Sequence, residues 1–253
     1  MGPFPYFSMD YIDGSTLRSV VERRHSLPHE DAISIVVEIC RAVAHAHSKG
    51  IIHRDLKPEN VMIDTEGDVF VMDFGLARAV EDAGSLTQPG TIMGTPFYMS
   101  PEQLQGEKLD ERSDIYSLGL ILYYCLTGDE LFRAESVTAV LTKHAALQLR
   151  DLLASHSMLP TNLQDVLALM LEEDPNMRTR SVKEVLERLT LRKIVALGLA
   201  ATEDPSIAAE NTPTVVFLPA PLAEPALAAT DDSRIAAAAE RRKARLRSLL
   251  DTF

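Results

Sequence analysis

The sequence predicts an α+β fold that is mainly helical, with one strand near the N-terminus, a small β-hairpin and a C-terminal tail. An amphipathic pattern over residues 28–49 and a nearly uniform apolar segment over 113–127 both indicate helices. Two short apolar runs on either side of a Thr-Glu-Gly-Asp turn indicate the hairpin. Because the 113–127 segment is apolar on almost every side, we expect it at the centre of the helical domain.

Local composition predicts the N-terminal elements. Residues 4–12 (FPYFSMDYI) are rich in aromatic side chains and predict a strand, which Gly14 is expected to end. Residues 15–24 predict a short helix. In the longer helix that follows, apolar residues recur at intervals of three and four, Pro28 fits the first turn, and Gly50 marks the end.

The hairpin and the later helices complete the predicted domain. Val61–Asp64 and Val69–Asp73 are the two predicted hairpin strands. Residues 74–100 contain many Gly, Thr and Pro residues and predict irregular structure. Beyond the central apolar segment, periodicity predicts three more helices, at 135–146, 162–172 and 181–191.

The composition changes after about residue 192, which divides the chain into a predicted domain at 1–191 and a tail at 192–253. Residues 202–231 are rich in Ala, Pro, Thr and acidic residues and predict a linker. Residues 233–251 predict a final helix that carries the basic run RRKARLR beside several leucines. Such a helix either contacts a partner or an anionic membrane surface, or forms a solvated amphipathic tail, and the sequence leaves these alternatives open.

Charge and cysteine content narrow the classes of function. The 253 residues carry a formal net charge of −12 with a pI of about 5.0, which argues against a general nucleic-acid-binding protein. Cys40 and Cys125 each lie in an apolar helical segment and predict buried thiols in a reducing compartment. The first residues do not resemble a signal peptide, and the apolar stretch Ile194–Ala201 is too short to span a membrane. We therefore expect a cytoplasmic protein without a transmembrane segment.

One loop concentrates side chains that are able to do chemistry. In the sequence IIHRDLKPENVMID, at residues 51–64, Asp55 is a carboxylate that can accept a proton from a hydroxyl nucleophile. Asn60 and Asp73 offer an amide oxygen and a carboxylate oxygen, which suit Mg²⁺ together with water and phosphate. Lys57 can neutralise a transferring phosphoryl group. A base, two metal ligands and a lysine are what phosphoryl transfer requires.

Four motifs in order together resemble the eukaryotic-like protein kinase family. They are HRDLKPEN at 53–60, DFG at 73–75, GTPFYMSPE at 94–102 and SDIYSLG at 113–119. The longer run GTPFYMSPEQL is similar in style to bacterial serine/threonine kinases. The resemblance implies a protein kinase-like fold, of which this chain provides the hinge and the mainly helical C-terminal lobe. It also implies transfer of the γ-phosphate of ATP, with Mg²⁺, to serine or threonine of protein substrates.

The resemblance implies a catalytic role for each matching residue. Asp55 would orient the acceptor hydroxyl and take its proton, and Lys57 would contact the γ-phosphate. Asn60 and Asp73 would hold Mg²⁺. Thr95 would support Asp55 and Lys57 and help to form the peptide-binding loop. A lysine at this place in the loop is typical of serine/threonine rather than tyrosine kinases.

Four further residues would be structural by the same resemblance. Glu102 and Arg178 would form a buried ion pair that anchors the activation segment, residues 73–102. Asp114 in the central helix would hold the backbone of the catalytic loop near His53. His53 itself is expected in the core beneath the loop rather than as an acid or base.

The adenine of ATP would lie against the hinge. Met9 would be the gatekeeper residue of this site. Asp10 and Ile12 would present backbone groups to the adenine, and Met62 would pack below the ring. These assignments follow from the resemblance alone.

Arg54, beside Asp55, suggests regulation by phosphorylation. In the family that the sequence resembles, such an arginine pairs with a phosphorylated residue of the activation segment, since a phosphate adds negative charge and strong acceptors. Thr91 matches the usual site, and Thr87 and Ser85 are weaker candidates. We therefore expect phosphorylation of Thr91 to order the activation segment.

Nothing in these residues matches the rest of a kinase small lobe. The segment 4–12 matches the hinge, and the sequence contains neither a G-x-G-x-x-G loop nor the strand lysine for the α- and β-phosphates. Losing one preorganised donor commonly costs about 3–4 kcal/mol of transition-state stabilisation, so we expect the chain alone to have little or no kinase activity. The alternative is a non-catalytic binding or regulatory module that keeps the substrate-docking lobe.

Overall fold

The computed structural model describes residues 10–74, 96–134, 136–146, 149, 153, 159–196 and 232–250. Within these ranges the strands are β1 (Gly14–Thr16), β2 (Val61–Asp64) and β3 (Val69–Val71). The helices are α1 (Leu17–Arg24), α2 (His29–Ser48), α3 (Pro101–Leu104), α4 (Glu111–Thr127), α5 (Val137–Ala146), α6 (Thr161–Met170), α7 (Val182–Ala196) and α8 (Asp232–Ser248). Short 3₁₀ turns lie at Pro58–Asn60 and Pro96–Tyr98. This largely helical α+β architecture is the predicted class.

The three strands form one antiparallel sheet in the order β1-β2-β3. The predicted hairpin is confirmed, with Val61 opposite Val71. Of the strand predicted at 4–12, residues 10–12 are not a strand and residues 4–9 lie outside the described residues. Gly14, predicted as a strand breaker, is the first residue of β1. A Cβ at this glycine would lie 2.2 Å from the carbonyl oxygen of Ile63, so the glycine permits the close approach of β1 to β2.

Helices α1 and α2 follow the sheet and confirm the two helices predicted at 15–24 and 28–49. Thr16 caps α1, since its hydroxyl oxygen accepts a hydrogen bond from the backbone N–H of Ser19 at 3.2 Å. Helix α2 starts directly after Pro28 and buries the apolar stripe read from the sequence. The loop that carries the candidate site leaves the C-terminal end of α2, so the burial of this helix fixes where the loop begins.

Helix α4 lies at the centre of the domain, as predicted. It contacts α2, α6 and α7, and nearly all of its side chains are buried. Asp110 caps its first turn by accepting the backbone N–H of Arg112 at 2.8 Å. Gly128 ends it with a φ of 78°, and a Cβ there would collide with the carbonyl oxygen of His25. The helix is therefore held at both ends, with its first turn beneath the candidate site.

The remaining predicted helices are also present, as α5 to α8. Helix α7 continues to Ala196, past the predicted end at 191. Cys40 and Cys125 are both free and buried, as expected from their apolar surroundings. Among the described residues, no helix is both long and apolar enough to cross a membrane. The division of the chain into a domain at 1–191 and a tail at 192–253 stays a prediction.

Candidate active site

The candidate site is the loop between α2 and β2, closed from one side by the end of β3. Two of its non-glycine residues have left-handed backbone conformations, Arg54 with a φ of 69° and Asp73 with a φ of 61°. Such conformations cost on the order of 1–3 kcal/mol each and persist only where the surrounding structure holds them. The contacts that hold this loop are therefore part of the site.

Asp114 of α4 holds the loop backbone. Its carboxylate accepts the backbone N–H of His53 and the backbone N–H of Arg54, each at 2.9 Å, and only 1% of the residue is exposed. From the other side, the amide of Gln103 donates to the carbonyl oxygen of Arg54 at 2.7 Å. The left-handed peptide of Arg54 is thus fixed at both its N–H and its carbonyl group.

His47 is a functional contact that the sequence analysis missed. No motif used in the sequence analysis includes it. In the structure Nε2 of His47 lies 2.7 Å from a carboxylate oxygen of Asp114, the same residue that holds the loop. Its spacing in the sequence could have indicated this contact, because His47 lies on the same face of α2 as the buried residues Cys40 and Val43.

Gln103 is a second missed contact, and it depends on Ser100. The two residues form a capping box at the start of α3, in which Ser100 accepts the backbone N–H of Gln103 and the Gln103 side chain accepts the backbone N–H of Ser100. This box positions the Gln103 amide that reaches Arg54. The Ser-x-x-Gln spacing was the sequence signal for it.

His53 lies in the core beneath the loop, as expected. Its Nε2 lies 2.9 Å from the carbonyl oxygen of Met72, its Nδ1 accepts the backbone N–H of Asp55 at 3.3 Å, and its ring lies 4.5 Å from that of Phe74. Both hydrogen bonds fit the neutral ring that carries its hydrogen on Nε2. Burial lowers the pKa of His53 below its ordinary value, against the opposing effect of Asp114. The ring is therefore a neutral link between the loop and the segment before Phe74.

Two side chains of the loop, those of Lys57 and Asn60, converge on the carboxylate of Asp55. The ammonium of Lys57 lies 2.7 Å from Oδ2 of Asp55. The amide nitrogen of Asn60 donates to the same oxygen at 3.1 Å and to the backbone carbonyl of Asp55 at 2.8 Å. Because the Asn60 nitrogen is turned toward Asp55, its carbonyl oxygen is the atom that remains to face a cation.

The hairpin brings Asp73 to the same place. Val61 and Val71 are paired, and the backbone N–H of Met72 donates to the carbonyl oxygen of Asn60 at 2.8 Å. Asp73 therefore follows directly after the position paired with Asn60. One amide oxygen and one carboxylate fit Mg²⁺, which commonly takes few protein ligands and completes its shell with water and phosphate. Among the described residues, His, Cys, Asp and Glu form no metal-binding cluster of three or more.

Glu102 and Arg178 form the buried ion pair that the resemblance implied. Their side chains make two hydrogen bonds, at 2.8 and 3.1 Å, and Ser113 donates to Glu102 at 2.7 Å. Arg178 also donates to the carbonyl oxygen of Arg112 at 2.7 Å and lies over the ring of Tyr116. Burial alone would raise the pKa of Glu102, but the hydrogen bonds from Arg178 and Ser113 hold it below its ordinary value. The pair ties the start of α3 to the segment before α7.

Only some of the residues predicted for the hinge and for regulation lie in the described part of the chain. Asp10 is exposed, Ile12 is partly buried, and Met62 lies in β2 opposite Thr16 of β1. The other predicted positions lie outside the described residues; they are Met9, Ser85, Thr87, Thr91 and Thr95.

Comparison with known proteins agrees with the fold. The family model described as the protein kinase domain matches residues 4–189. The chain therefore belongs to the protein kinase domain family. The bacterial character noted in its motifs is also reflected in the relatives that it matches.

Among the relatives that the chain matches are serine/threonine-protein kinases of bacteria. The chain is 41% identical over 184 residues to the serine/threonine-protein kinase PknB of Mycobacterium leprae, covering 73% of this chain and 30% of that protein. It is 41% identical over 185 residues to PknB of Mycobacterium tuberculosis (strain ATCC 25618 / H37Rv), with the same shares. It is 36% identical over 202 residues to the probable serine/threonine-protein kinase CPE1738 of Clostridium perfringens, covering 79% of this chain and 29% of that protein. The chain thus spans about 30% of the length of these relatives.

Proposed function

We propose that the protein containing this chain is a serine/threonine protein kinase, which transfers the γ-phosphoryl group of ATP to serine or threonine of protein substrates. The observation that carries the proposal is the convergence of Lys57 and Asn60 on Asp55, with Asp73 brought alongside Asn60 by the hairpin. These are the base, the phosphate-neutralising lysine and the oxygen ligands that phosphoryl transfer needs. The names of the bacterial relatives support the same assignment.

In the proposed step, the substrate hydroxyl oxygen bonds to the γ-phosphorus and the bond from that phosphorus to the β–γ bridging oxygen breaks. The hydroxyl proton passes to the carboxylate of Asp55, and ADP leaves with the bridging oxygen. We assign proton acceptance to Oδ1, because Oδ2 of Asp55 already receives Lys57 and Asn60. Lys57 faces the transferring group and stabilises the charge that develops on it. Thr95 would support both residues.

Asn60 and Asp73 would hold Mg²⁺ in this site. When bound, Mg²⁺ supplies positive charge that neutralises the phosphate oxygens. Asn60 presents its carbonyl oxygen because its nitrogen is bound to Asp55, and Asp73 is held by the pairing of Met72 with Asn60. At the other end of the nucleotide, we propose that Met9, Asp10, Ile12 and Met62 surround the adenine.

The experiment for this assignment measures how phosphoryl transfer by the natural protein depends on Mg²⁺. Asn60→Ala and Asp73→Asn each remove one proposed ligand, so we expect both to raise the Mg²⁺ concentration needed for half-maximal rate and to lower the maximal rate. Asp165→Asn removes an exposed carboxylate outside the site and serves as the control. Variants at positions 60 and 73 with the same Mg²⁺ dependence as the control would exclude this pair as the metal ligands.

We also propose that the isolated chain of 253 residues catalyses phosphoryl transfer only slowly. Their sequence has no Gly-rich phosphate loop and no strand lysine matching that of the family. Phosphoryl transfer depends on positioning, so a phosphate chain held from one side only is stabilised poorly. Radiolabel transfer by the isolated chain at a rate comparable to that of the natural protein would contradict this.

The alternative is a non-catalytic module that binds proteins through the substrate-docking lobe. The absence of a Gly-rich phosphate loop from these 253 residues is compatible with such a module, whereas Asp55, Lys57, Asn60 and Asp73 together favour catalysis, because a scaffold has no chemical need for all four. Calorimetric titration of the natural protein with Mg-ATP separates the two. Saturable binding that is weakened by Asp73→Asn supports the kinase, and no binding supports the module.

Regulation by phosphorylation is a further part of this proposal. We propose that Thr91, with Thr87 as the second candidate, is phosphorylated and pairs with Arg54. The loop peptide that carries Arg54 is fixed at both its N–H and its carbonyl group, so its side chain starts from a defined position. Phosphopeptide mapping of an active protein that finds neither threonine modified would rule out the regulatory part.

A cytoplasmic location is proposed because the reaction uses ATP.

A further inference from the structure

An acidic surface lies on the side of the domain formed by α2 and the β2–β3 turn. Its carboxylates are those of Glu30, Asp31 and Glu38 of α2 and of Glu66 and Asp68 of the turn; these five residues are called the acidic docking face. Helix α8 contacts α2 and covers this face, although it is separated from α7 by residues 197–231.

Every carboxylate of the acidic docking face is paired with a basic residue of α8. Arg242 pairs with Glu38, and Arg245 pairs with both Glu30 and Asp31. At the turn, Lys243 lies 2.7 Å from Asp68, and Arg247 lies 3.0 Å from Glu66. Four basic residues of the RRKARLR run therefore pair with all five carboxylates of the face.

Apolar contacts accompany the charges. Leu246 and Leu249 are 1% and 3% exposed, and Leu250 also packs against the core. Arg24 at the end of α1 donates to the carbonyl oxygen of Leu249 at 3.2 Å, which satisfies a free carbonyl at the end of α8. These contacts fix the direction in which the helix lies on the face.

The turn of the hairpin is shaped to the helix. Gly67 has a φ of 80°, and a Cβ there would lie 2.6 Å from the backbone carbonyl oxygen of Lys243. The two backbones therefore approach too closely for a side chain between them. Exposed ion pairs contribute little when isolated, but a network combined with buried leucines is both specific and sensitive to salt.

We propose that the acidic docking face is a docking site for a basic helix with leucines at its C-terminal end, and that its occupant is residues 240–250 of this same chain. Residues 197–231 join the helix to the domain, so docking is intramolecular and is favoured by a high effective concentration. The inference does not depend on the proposed kinase activity, and neither of its tests measures turnover.

The first test is zero-length carbodiimide cross-linking of the full chain, which joins a lysine amine to a carboxylate in direct contact. We expect a Lys243–Asp68 link in a species of monomeric mass, and its loss in Asp68→Asn. The Lys57–Asp55 contact, also at 2.7 Å, is the internal control for the chemistry. A control link without a Lys243–Asp68 link would overturn the proposal, and a link found only in dimers would show that a second copy, not the chain itself, is the occupant.

The second test asks whether the emptied face accepts the helix in trans. A labelled peptide of residues 232–250 is titrated by fluorescence anisotropy into the full chain and into the full chain carrying Arg242→Glu and Arg245→Glu. We expect at least tenfold tighter binding to the double variant, because its own tail is released, and weaker binding as salt is raised. Arg180→Glu, just before α7, with Arg188→Glu on α7 makes the same charge change away from the face, and this α7 control should bind the peptide no better than the unchanged chain.

Exchanging the charges of one ion pair, Glu38 on the face and Arg242 on the peptide, separates a lost contact from a misfolded chain, because only a folded face can bind the exchanged peptide. The released chain is the double variant with Arg242→Glu and Arg245→Glu. Adding Glu38→Arg to it should weaken binding of the unchanged peptide at least tenfold. The same change should restore binding of a peptide that carries Arg242→Glu. Equal peptide affinities for the released chain and for the α7 control, or no effect of Glu38→Arg, would overturn the proposal.

Discussion

Asp114 holds the backbone N–H of Arg54 at 2.9 Å, and that bond fixes a non-glycine residue with a φ of 69° directly beside Asp55. The central helix thus positions the loop of the candidate site through a single buried carboxylate, which also receives His53 and His47. Because the carboxylate is almost fully buried, water cannot replace these contacts.

Replacing this carboxylate with an amide should destabilise the domain. Asp114→Asn keeps the shape but loses charge-assisted hydrogen bonds and turns an N–H₂ group toward donors, so we expect a loss of about 2–3 kcal/mol in the free energy of unfolding. Guanidinium unfolding followed by circular dichroism measures it. The control is Asp165→Asn on the exposed side of α6, for which we expect a change within about 0.5 kcal/mol. Equal values for the two variants would contradict the anchoring role.

Breaking the Glu102–Arg178 pair should lower the free energy of unfolding by more than Asp114→Asn does. Glu102→Ala leaves the buried guanidinium of Arg178 without its carboxylate, which we expect to lower the free energy of unfolding by about 3–5 kcal/mol. Glu184→Ala breaks the exposed Glu184–Arg188 pair of α7 and should cost less than about 1 kcal/mol. Denaturant unfolding of the two variants side by side tests this, and a Glu102→Ala effect as small as that of Glu184→Ala would refute the claim that the pair anchors the segment.

The same pair predicts how stability depends on pH. The pKa of Glu102 is lower in the folded chain than its ordinary value of 4.5, so the unfolded chain takes up its proton at higher pH than the folded chain does. The contribution of Glu102 is therefore present above about pH 4.5 and is lost as the pH falls through the folded-state pKa. Between pH 6 and pH 4, we expect unchanged protein to lose more stability than Glu102→Gln, as measured by denaturant midpoints. Parallel pH profiles for the two proteins would be the contrary result.

The two cysteines should be inert in the folded chain. Burial raises the pKa of Cys40 and of Cys125 to about 12, so the reactive thiolate is scarce at neutral pH and reagents have no access. We expect no thiol titrated by a chromogenic disulfide reagent at pH 8 in native buffer, and both titrated in guanidinium. Rapid labelling of either cysteine without denaturant would show that its helix opens or is packed differently.

The sequence was informative where the pattern was local and strong. The helices at 28–49 and 113–127 were predicted closely because their apolar patterns reflect burial against the core. The hairpin was predicted because a turn separates two apolar runs. Gly14 was predicted only as a strand breaker, whereas it begins β1, because its role depends on the backbone of Ile63, far away in sequence.

Contacts between distant segments account for the rest. The link from His47 to Asp114 and the link from Gln103 to Arg54 each join residues about fifty or more positions apart, and the motifs that contain Arg54, Gln103 and Asp114 do not show which residues pair with one another. For the C-terminal helix, the sequence indicated a basic amphipathic face but left its partner open. In the structure α8 contacts the acidic docking face, whose five carboxylates come from two separate elements.

The measurement that tests the central claim most directly is phosphoamino-acid analysis after radiolabelled ATP is given to the natural protein containing this chain. The account predicts label on serine or threonine of an added protein substrate. It also predicts that Asp55→Asn lowers the rate by about 10²–10⁴-fold, the usual contribution of a general base, while the exposed control Asp165→Asn leaves it unchanged. Label on tyrosine, or transfer that survives Asp55→Asn at the rate of the control, would contradict it.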